Sequence, residues 1–186
     1  MRRVMTFLLD ANVLLDFQNA GLLPELAAAS QVVDMAVAEK VFDEVTLTKS
    51  GDTPNLVGKK KQAAAILRSA KLTKIEIVPG TREAALMQTL LGPVNAIKDK
   101  DQGEAASIAV AASDEDLLFV TGDKTAVLWA LNELFHKGER VMRVPIFVRT
   151  LLERDALDSK TVQGIAERAA SHGAVPSWWA SWIAAL

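Results

Sequence analysis

The stretch VMTFLLDANVLLD, residues 4–16, joins a short apolar run to a second, helically spaced one at a single aspartate, Asp10. Residues 4–9 have the length and apolar character of a buried strand, and the apolar spacing of residues 11–17 is typical of a short helix. A strand followed at once by a helix is the repeating unit of α/β folds. The stretch therefore predicts such a fold, with Asp10 between its first strand and first helix.

The same alternation of strand-like and helix-like patterns continues along the chain. Four further strands are predicted, at residues 32–37, 74–78, 117–120 and 141–148. Helices are predicted around them, at residues 22–29, 38–47, 59–70, 81–91, 101–112 and 123–136. Residues 48–57 are predicted to form a loop, because they are rich in glycine, proline and polar side chains. This order implies a mainly parallel sheet covered by helices on both faces.

The composition is that of an ordinary globular protein. Half of the 186 residues are hydrophobic, which is enough for one domain with one core. The absence of cysteine excludes disulfides, zinc–thiolate sites and thiol nucleophiles. The net charge of −2 excludes a basic, duplex-coating protein, so any nucleic-acid contact must be local. No apolar run approaches the roughly 20 residues of a membrane span, and we expect a soluble, cytoplasmic protein.

Acidic residues recur where strands end and helices begin. Asp10 follows the first predicted strand, Asp123 follows the fourth, and Glu44 lies on the helix after the second. Asp101 and Glu104 stand one turn apart at the start of another helix. Because the carboxyl ends of parallel strands meet at one edge of a sheet, and ligands bind there, we expect these acids to surround one pocket.

Carboxylates held close together repel one another and stay ionised only when a cation lies between them. A site made of carboxylate oxygens, without histidine or cysteine, favours Mg²⁺ or Mn²⁺. Such ions engage phosphate oxygens and activate water. The acidic pattern therefore predicts metal-dependent hydrolysis of a phosphodiester.

Each acid also has a structural explanation. Asp101 is a good helix N-cap, and Glu104 at the third helical position would complete a capping box. Asp123 is an equally good N-cap for the helix that follows it. Asp10 is explained as the end of a strand and the cap of the next helix, and Glu44 as a solvated helix charge. A capping aspartate can also bind a metal, so the two interpretations are compatible.

Four motifs in order resemble those of PIN-domain nucleases. They are LLDANVLLD at residues 8–16, VFDE at 41–44, DQGEAA at 101–106 followed by Ile108 and Ala109, and FVTGDK at 119–124. Each motif alone is weak, but their order and separations agree with the family. The resemblance covers roughly residues 4–148.

The resemblance implies a three-layer α/β/α sandwich of the PIN type. It implies an acidic metal site of four catalytic residues, Asp10, Glu44, Glu104 and Asp123. Asn12 and Thr121 match polar residues that orient the ligands. Many members are endoribonucleases whose products carry a 5′-phosphate and a 3′-hydroxyl. Many of these are VapC-like toxins, so the resemblance also suggests an antitoxin protein as partner.

The chain departs from the family pattern at two of the acids. Many relatives have an aspartate where this chain offers both Asp101 and Glu104, so either residue is a candidate metal ligand. Glu39 and Asp43 compete in the same way with Glu44. The lysine-containing loop at residues 49–61 and the tail after residue 149 exceed a compact toxin of this family.

Further contacts are predicted outside the acidic set. Lys98, Lys100 and Lys124 flank the acids and are candidate substrate-binding residues, because an RNA backbone must pass an otherwise negative site. Residues 1–148 are predicted to form the nuclease domain, and residues 149–186 a helical extension packed on it. Trp178 and Trp182 share a helix face there. They indicate packing on the domain or a partner surface, and we expect a homodimer.

Two other functions compete with the nuclease. A haloacid-dehalogenase-like phosphatase also places an aspartate after its first strand, but its second aspartate would stand where this chain has Asn12. A catalytically inert PIN-like module that binds RNA or protein is the second rival, although the presence of all four acids argues against it.

Overall fold

A computed structural model describes residues 5–98, 101–133, 140–160, 162, 163 and 167. Strands and helices alternate through these residues. In chain order the elements are β1 (Thr6–Leu9), α1 (Ala11–Asn19), α2 (Leu23–Ala29), β2 (Met35–Ala38), α3 (Glu39–Thr46), α4 (Pro54–Ser69), β3 (Leu72–Ile75), α5 (Arg82–Lys98), α6 (Gln102–Ser113), β4 (Leu117–Thr121), α7 (Lys124–Glu133), β5 (Val141–Arg143) and α8 (Val144–Glu153).

The strands form one parallel sheet in the order β3-β2-β1-β4-β5. From β1 the chain builds outward to β2 and β3, and then returns to place β4 on the other side of β1. The strand order therefore reverses between β1 and β4. In open α/β sheets this reversal opens a crevice at the carboxyl ends of the two strands, and Asp10 follows β1 at that point.

Alternate residues of the central strands enter two separate cores, one on each face of the sheet. Leu9 and Val120 pack against side chains of α1, α2, α3, α4 and α8. Leu8 and Phe119 pack on the opposite face with side chains of α6 and α7. Both faces are therefore covered by helices, as strands buried on both sides require. This arrangement confirms the predicted α/β/α sandwich with a parallel sheet.

The predicted bounds differ from the structure at several elements, and two of these contain helical residues that were not predicted. The strand predicted for residues 141–148 ends at Arg143, and α8 begins at Val144, with Pro145 in its first turn. Proline suits that turn because a backbone N–H at this position would have no acceptor within the helix. The predicted domain boundary at residue 148 thus falls within α8. The loop predicted for residues 48–57 ends early, because α4 begins at Pro54 and Thr53 caps it through Leu56 N–H.

The predicted stop at Gly92 corresponds to a break within α5, where glycine has φ 63° and ψ 170°. The tryptophans of the tail and most of the predicted extension lie outside the described residues, as does Lys100. Among the helices of the described part of the chain, none has both the length and the apolar character needed to cross a membrane.

Candidate metal centre

A cleft of about 590 Å³ opens at the carboxyl edge of the sheet, where β1 and β4 end. Its lining comes from segments far apart in sequence. The residues are Asp10, Ala11, Asn12, Lys40, Asp43, Glu44, Leu47, Lys49, Asp101, Gln102, Gly103, Glu104 and Asp123. All five acids predicted as metal ligands are among them, and Asp43 is a sixth.

Asp10 is fully buried and held by three donors. One carboxylate oxygen accepts the Ala11 N–H at 2.8 Å. The other accepts the Thr121 hydroxyl at 2.8 Å and the Asn12 side-chain amide at 3.5 Å. Burial raises the pKa of Asp10 to about 6, although the bonds from Thr121 and Ala11 oppose that rise. Asn12 and Thr121, predicted from the motifs to orient the ligands, both donate to this carboxylate.

Thr121 joins two of the acids at the end of β4. While its hydroxyl donates to Asp10, the same oxygen accepts the N–H of Asp123 at 3.1 Å. Asp123 Oδ1 in turn accepts the N–H groups of Thr125 and Ala126, at 2.6 and 3.1 Å. Asp123 therefore caps α7, as its structural explanation requires, and lines the cleft as well. These caps engage only Oδ1, so capping is compatible with a second role.

Asp101 precedes α6 in a left-handed conformation, with φ 58° and ψ 17°, and makes no side-chain capping bond. The capping box predicted for Asp101 and Glu104 is therefore wrong. A non-glycine residue in this conformation costs about 1 kcal/mol or more, and such residues cluster at functional sites. The strained backbone places Asp101 in the cleft lining instead.

Glu104 lies in the first turn of α6, where the charges of the other acids act on its carboxyl group. Its pKa is raised to about 7, first by burial and then by the charges of Asp10, Asp123, Asp101 and Glu44. These acids are therefore close enough to repel one another. The cost of ionising Glu104 would fall if a cation entered the cleft.

The second acid comes from α3, which offers three candidates. Glu39 binds Lys74 at 2.8 Å and is absent from the described cleft lining. Asp43 and Glu44 both line the cleft. Glu44 lies against Gly103 of α6, where an added Cβ would stand 2.7 Å from Glu44 Oε2. The structure thus removes Glu39 from the candidates and places Glu44 beside the helix that contains Glu104.

The donor set fits a hard divalent cation held partly through water. Among the described residues, no three acidic side chains are arranged closely enough to enclose an ion as they stand. Mg²⁺ keeps several waters and binds through one or two carboxylates, so it does not need a closed protein cage. Six carboxylates around one cleft, one of them with a pKa near 7, are the oxygen-rich surroundings that such an ion prefers.

Of the three predicted substrate-binding lysines, Lys124 alone has a described side chain, and that side chain does not line the cleft. Lys124 is exposed on the first turn of α7 and is not among the described lining residues, and Lys98 ends α5. Lys40 and Lys49 line the cleft instead. Lys40 stands four residues before Glu44 on α3, so helical spacing is sufficient to predict that the two share a face. The position of Lys49 depends on the path of the loop, which no local pattern in the sequence predicts.

Asp16 is a further acid beside the site. It lies one helical turn after Asn12, and its Oδ2 would be 3.3 Å from a Cβ added to Gly122, the residue before Asp123. Burial raises the pKa of Asp16 to about 6. The sequence motif contains Asp16, but no role was predicted for it.

No family model, curated protein or solved structure matches the chain. The resemblance to PIN-domain nucleases therefore stays a prediction that depends on the four motifs.

Proposed function

We propose that this protein is a Mg²⁺- or Mn²⁺-dependent endoribonuclease that hydrolyses RNA phosphodiesters. The proposal rests above all on one observation: Asp10, Glu44, Glu104 and Asp123 reach a single cleft from four different segments. That cleft lies where the strand order of the sheet reverses, which is the usual ligand position in such folds.

Asp10, Glu104 and Asp123 would hold the cation, with Glu44 and Asp101 within the same cleft. When bound, the ion supplies Lewis-acid stabilisation of phosphate charge and lowers the pKa of water. Asp10 is fixed by its bonds from Ala11, Thr121 and Asn12, so its position is set before any ligand arrives.

The protonation of Glu104 would make metal binding depend on pH. With a pKa of about 7 it is close to half protonated at neutral pH in the absence of a cation. Glu104 would release that proton when a cation binds, so binding should tighten as the pH rises. A carboxylate with a pKa near neutrality is also suited to accept a proton from a nucleophile or donate one to a leaving group.

The size of the cleft is compatible with a short stretch of a nucleic-acid strand as substrate. Its volume of about 590 Å³ lies within the roughly 300–1,000 Å³ typical of sites for small ligands, which suits a short stretch of a single strand better than a duplex. The choice of RNA over DNA comes from the resemblance to PIN-domain nucleases. The phosphatase alternative lacks its second acid, because Asn12 stands there and donates to Asp10.

The test is incubation of end-labelled RNA, single-stranded and structured, with Mn²⁺, Mg²⁺ or EDTA. We expect internal cleavage that needs the metal, and products with a 5′-phosphate and a 3′-hydroxyl, identified by mass spectrometry. Cleavage that persists in EDTA would contradict a metal-dependent site. Trapping of a phosphorylated aspartate would point to the phosphatase instead.

A further inference from the structure

The segment from α3 to the loop before α4 supplies the lysines and the large apolar side chain of the cleft, besides the acids Asp43 and Glu44. Lys40, Leu47 and Lys49 all line the cleft, and we call them the α3–α4 wall. We propose that this wall binds single-stranded RNA, with its lysines on the phosphates that flank the cleaved bond and Leu47 against an unstacked base. The inference rests on the proposed function and deepens it by naming the substrate's form.

The charges of the cleft lining support this role for the lysines. Six carboxylates line the cleft, and Lys40 and Lys49 are the cationic side chains among its described lining residues. A bound ion would neutralise charge at the cleaved phosphate, but the neighbouring phosphates would still face the acids. Lysines that contact those phosphates remove this repulsion and release counterions, which makes binding salt-dependent.

The loop that presents Lys49 has a defined fold. It connects α3, which ends at Thr46, to α4, which begins at Pro54. Asp52 accepts the Lys49 N–H at 2.8 Å and the Lys60 ammonium at 3.0 Å. The Asp52 and Lys60 side chains are each only 11% exposed. Those two bonds lower the pKa of Asp52, the bond from Lys49 most. The ion pair therefore links the loop to α4.

Leu47 indicates a single strand. Its side chain is 53% exposed and is the one large apolar side chain among the described lining residues of the cleft. Apolar surface of this kind can cover the face of an unstacked base, whereas a duplex keeps its base faces stacked inside. The complete burial of Asp10 points the same way, because a phosphate must enter the cleft to come near it.

The experiment compares Lys49→Gln with Lys61→Gln, a matched control. Lys61 is exposed on α4 and does not line the cleft. Binding of a fluorescent single-stranded RNA is measured by anisotropy with Ca²⁺ over a range of salt, and cleavage with Mn²⁺. For Lys49→Gln we expect the salt slope of log K to shrink by about 0.7. We also expect KM to rise roughly three- to tenfold, with little change in kcat. Lys61→Gln should match wild type.

The outcomes separate the wall from the nuclease. If wild type cleaves and both variants share its slope and KM, the wall is overturned and the nuclease stands. If the Lys49 effect on binding is present but wild type never cleaves with Mn²⁺, the wall is supported and the proposed function fails. Equal binding of a matched duplex would overturn the single-strand specificity, and no binding by wild type would overturn the wall.

Discussion

The carboxylate of Glu44 on α3 lies so close to Gly103 on α6 that a Cβ atom at residue 103 would stand 2.7 Å from Glu44 Oε2. The absence of a side chain there lets the two helices bring Glu44 and Glu104 into one cleft. Gly103 is thus required for the approach of two acids, although it has no functional group of its own.

Replacing Gly103 with alanine should damage the site without unfolding the protein. The new methyl group would displace the flexible end of Glu44, and we expect cleavage to fall by about 10- to 100-fold. Stability should change by less than about 1 kcal/mol, because alanine favours a helix by about that amount over glycine, which offsets the tight contact with Val41. Cleavage rates and urea denaturation measure the two effects.

Gly58→Ala is the matched control. Gly58 lies within α4, and a Cβ there would meet nothing within 4 Å. We expect stability to rise slightly and cleavage to stay at the wild-type rate. Equal loss of cleavage in both variants would show that the Glu44 contact does not matter.

The metal-free protein should lose stability as the pH rises. The pKa of Asp10 is about 6, against an ordinary value near 3.9. Between these values the folded state binds more protons at Asp10 than the unfolded one, so the contribution of Asp10 to the free energy of unfolding falls from about pH 4 to pH 6 and then levels. Asp10→Asn removes this penalty, and at pH 8 in EDTA it should be more stable than wild type by on the order of 2 kcal/mol. Urea denaturation at pH 5 and pH 8 measures the difference, which should be only about half as large at pH 5, because that pH lies midway between the folded and unfolded pKa values of Asp10.

Mn²⁺ should reverse that penalty. An ion between the acids stabilises their charged forms and displaces the protons that Asp10 and Glu104 hold, so it should raise Tm more at pH 8 than at pH 5.5. Thermal denaturation with and without the metal tests this. An increase that is independent of pH would mean that the ion binds elsewhere.

Thr121 should affect catalysis through a hydroxyl that touches two acids. Thr121→Val removes the bond to Asp10 and the acceptor for the Asp123 N–H. We expect cleavage to fall about 10- to 100-fold, with a loss of about 1–3 kcal/mol in stability. Thr121→Ser keeps the hydroxyl and should recover most of the rate. A serine variant as slow as the valine variant would indicate a packing role.

The fold was predictable because its main signals are local. The apolar run of β1 ends sharply at Asp10, and β4 ends in the same way before Asp123. The prediction failed where periodicity is ambiguous. Residues 141–148 are apolar enough for a strand, but Pro145 suits the first turn of a helix. The residues that α8 buries have helical spacing: they are Val144, Phe147, Val148 and Leu151. Thr53 and Pro54 were assigned to a loop by composition, although together they begin α4.

The site was predictable where an acid follows a strand. The positions of Asp10 and Asp123 follow from the rule that the carboxyl ends of parallel strands lie at one edge of the sheet. Glu39, Asp43 and Glu44 could not be separated, because the rotation of α3 depends on packing against α6. The position of Lys49 in the cleft could not be predicted from the sequence, because the path of its loop depends on the contact of Asp52 with Lys60 on α4.

The most direct test of the acidic metal site is RNA cleavage by wild type, Asp10→Asn and Asp34→Asn, each with Mn²⁺ and with EDTA. Asp34 is exposed and precedes β2, so it lies at the opposite edge of the sheet and receives the same chemical change. We predict that wild type and Asp34→Asn cleave only with the metal, and that Asp10→Asn is slower by at least about a hundredfold while staying folded. Metal-dependent cleavage by Asp10→Asn at the wild-type rate would contradict the account.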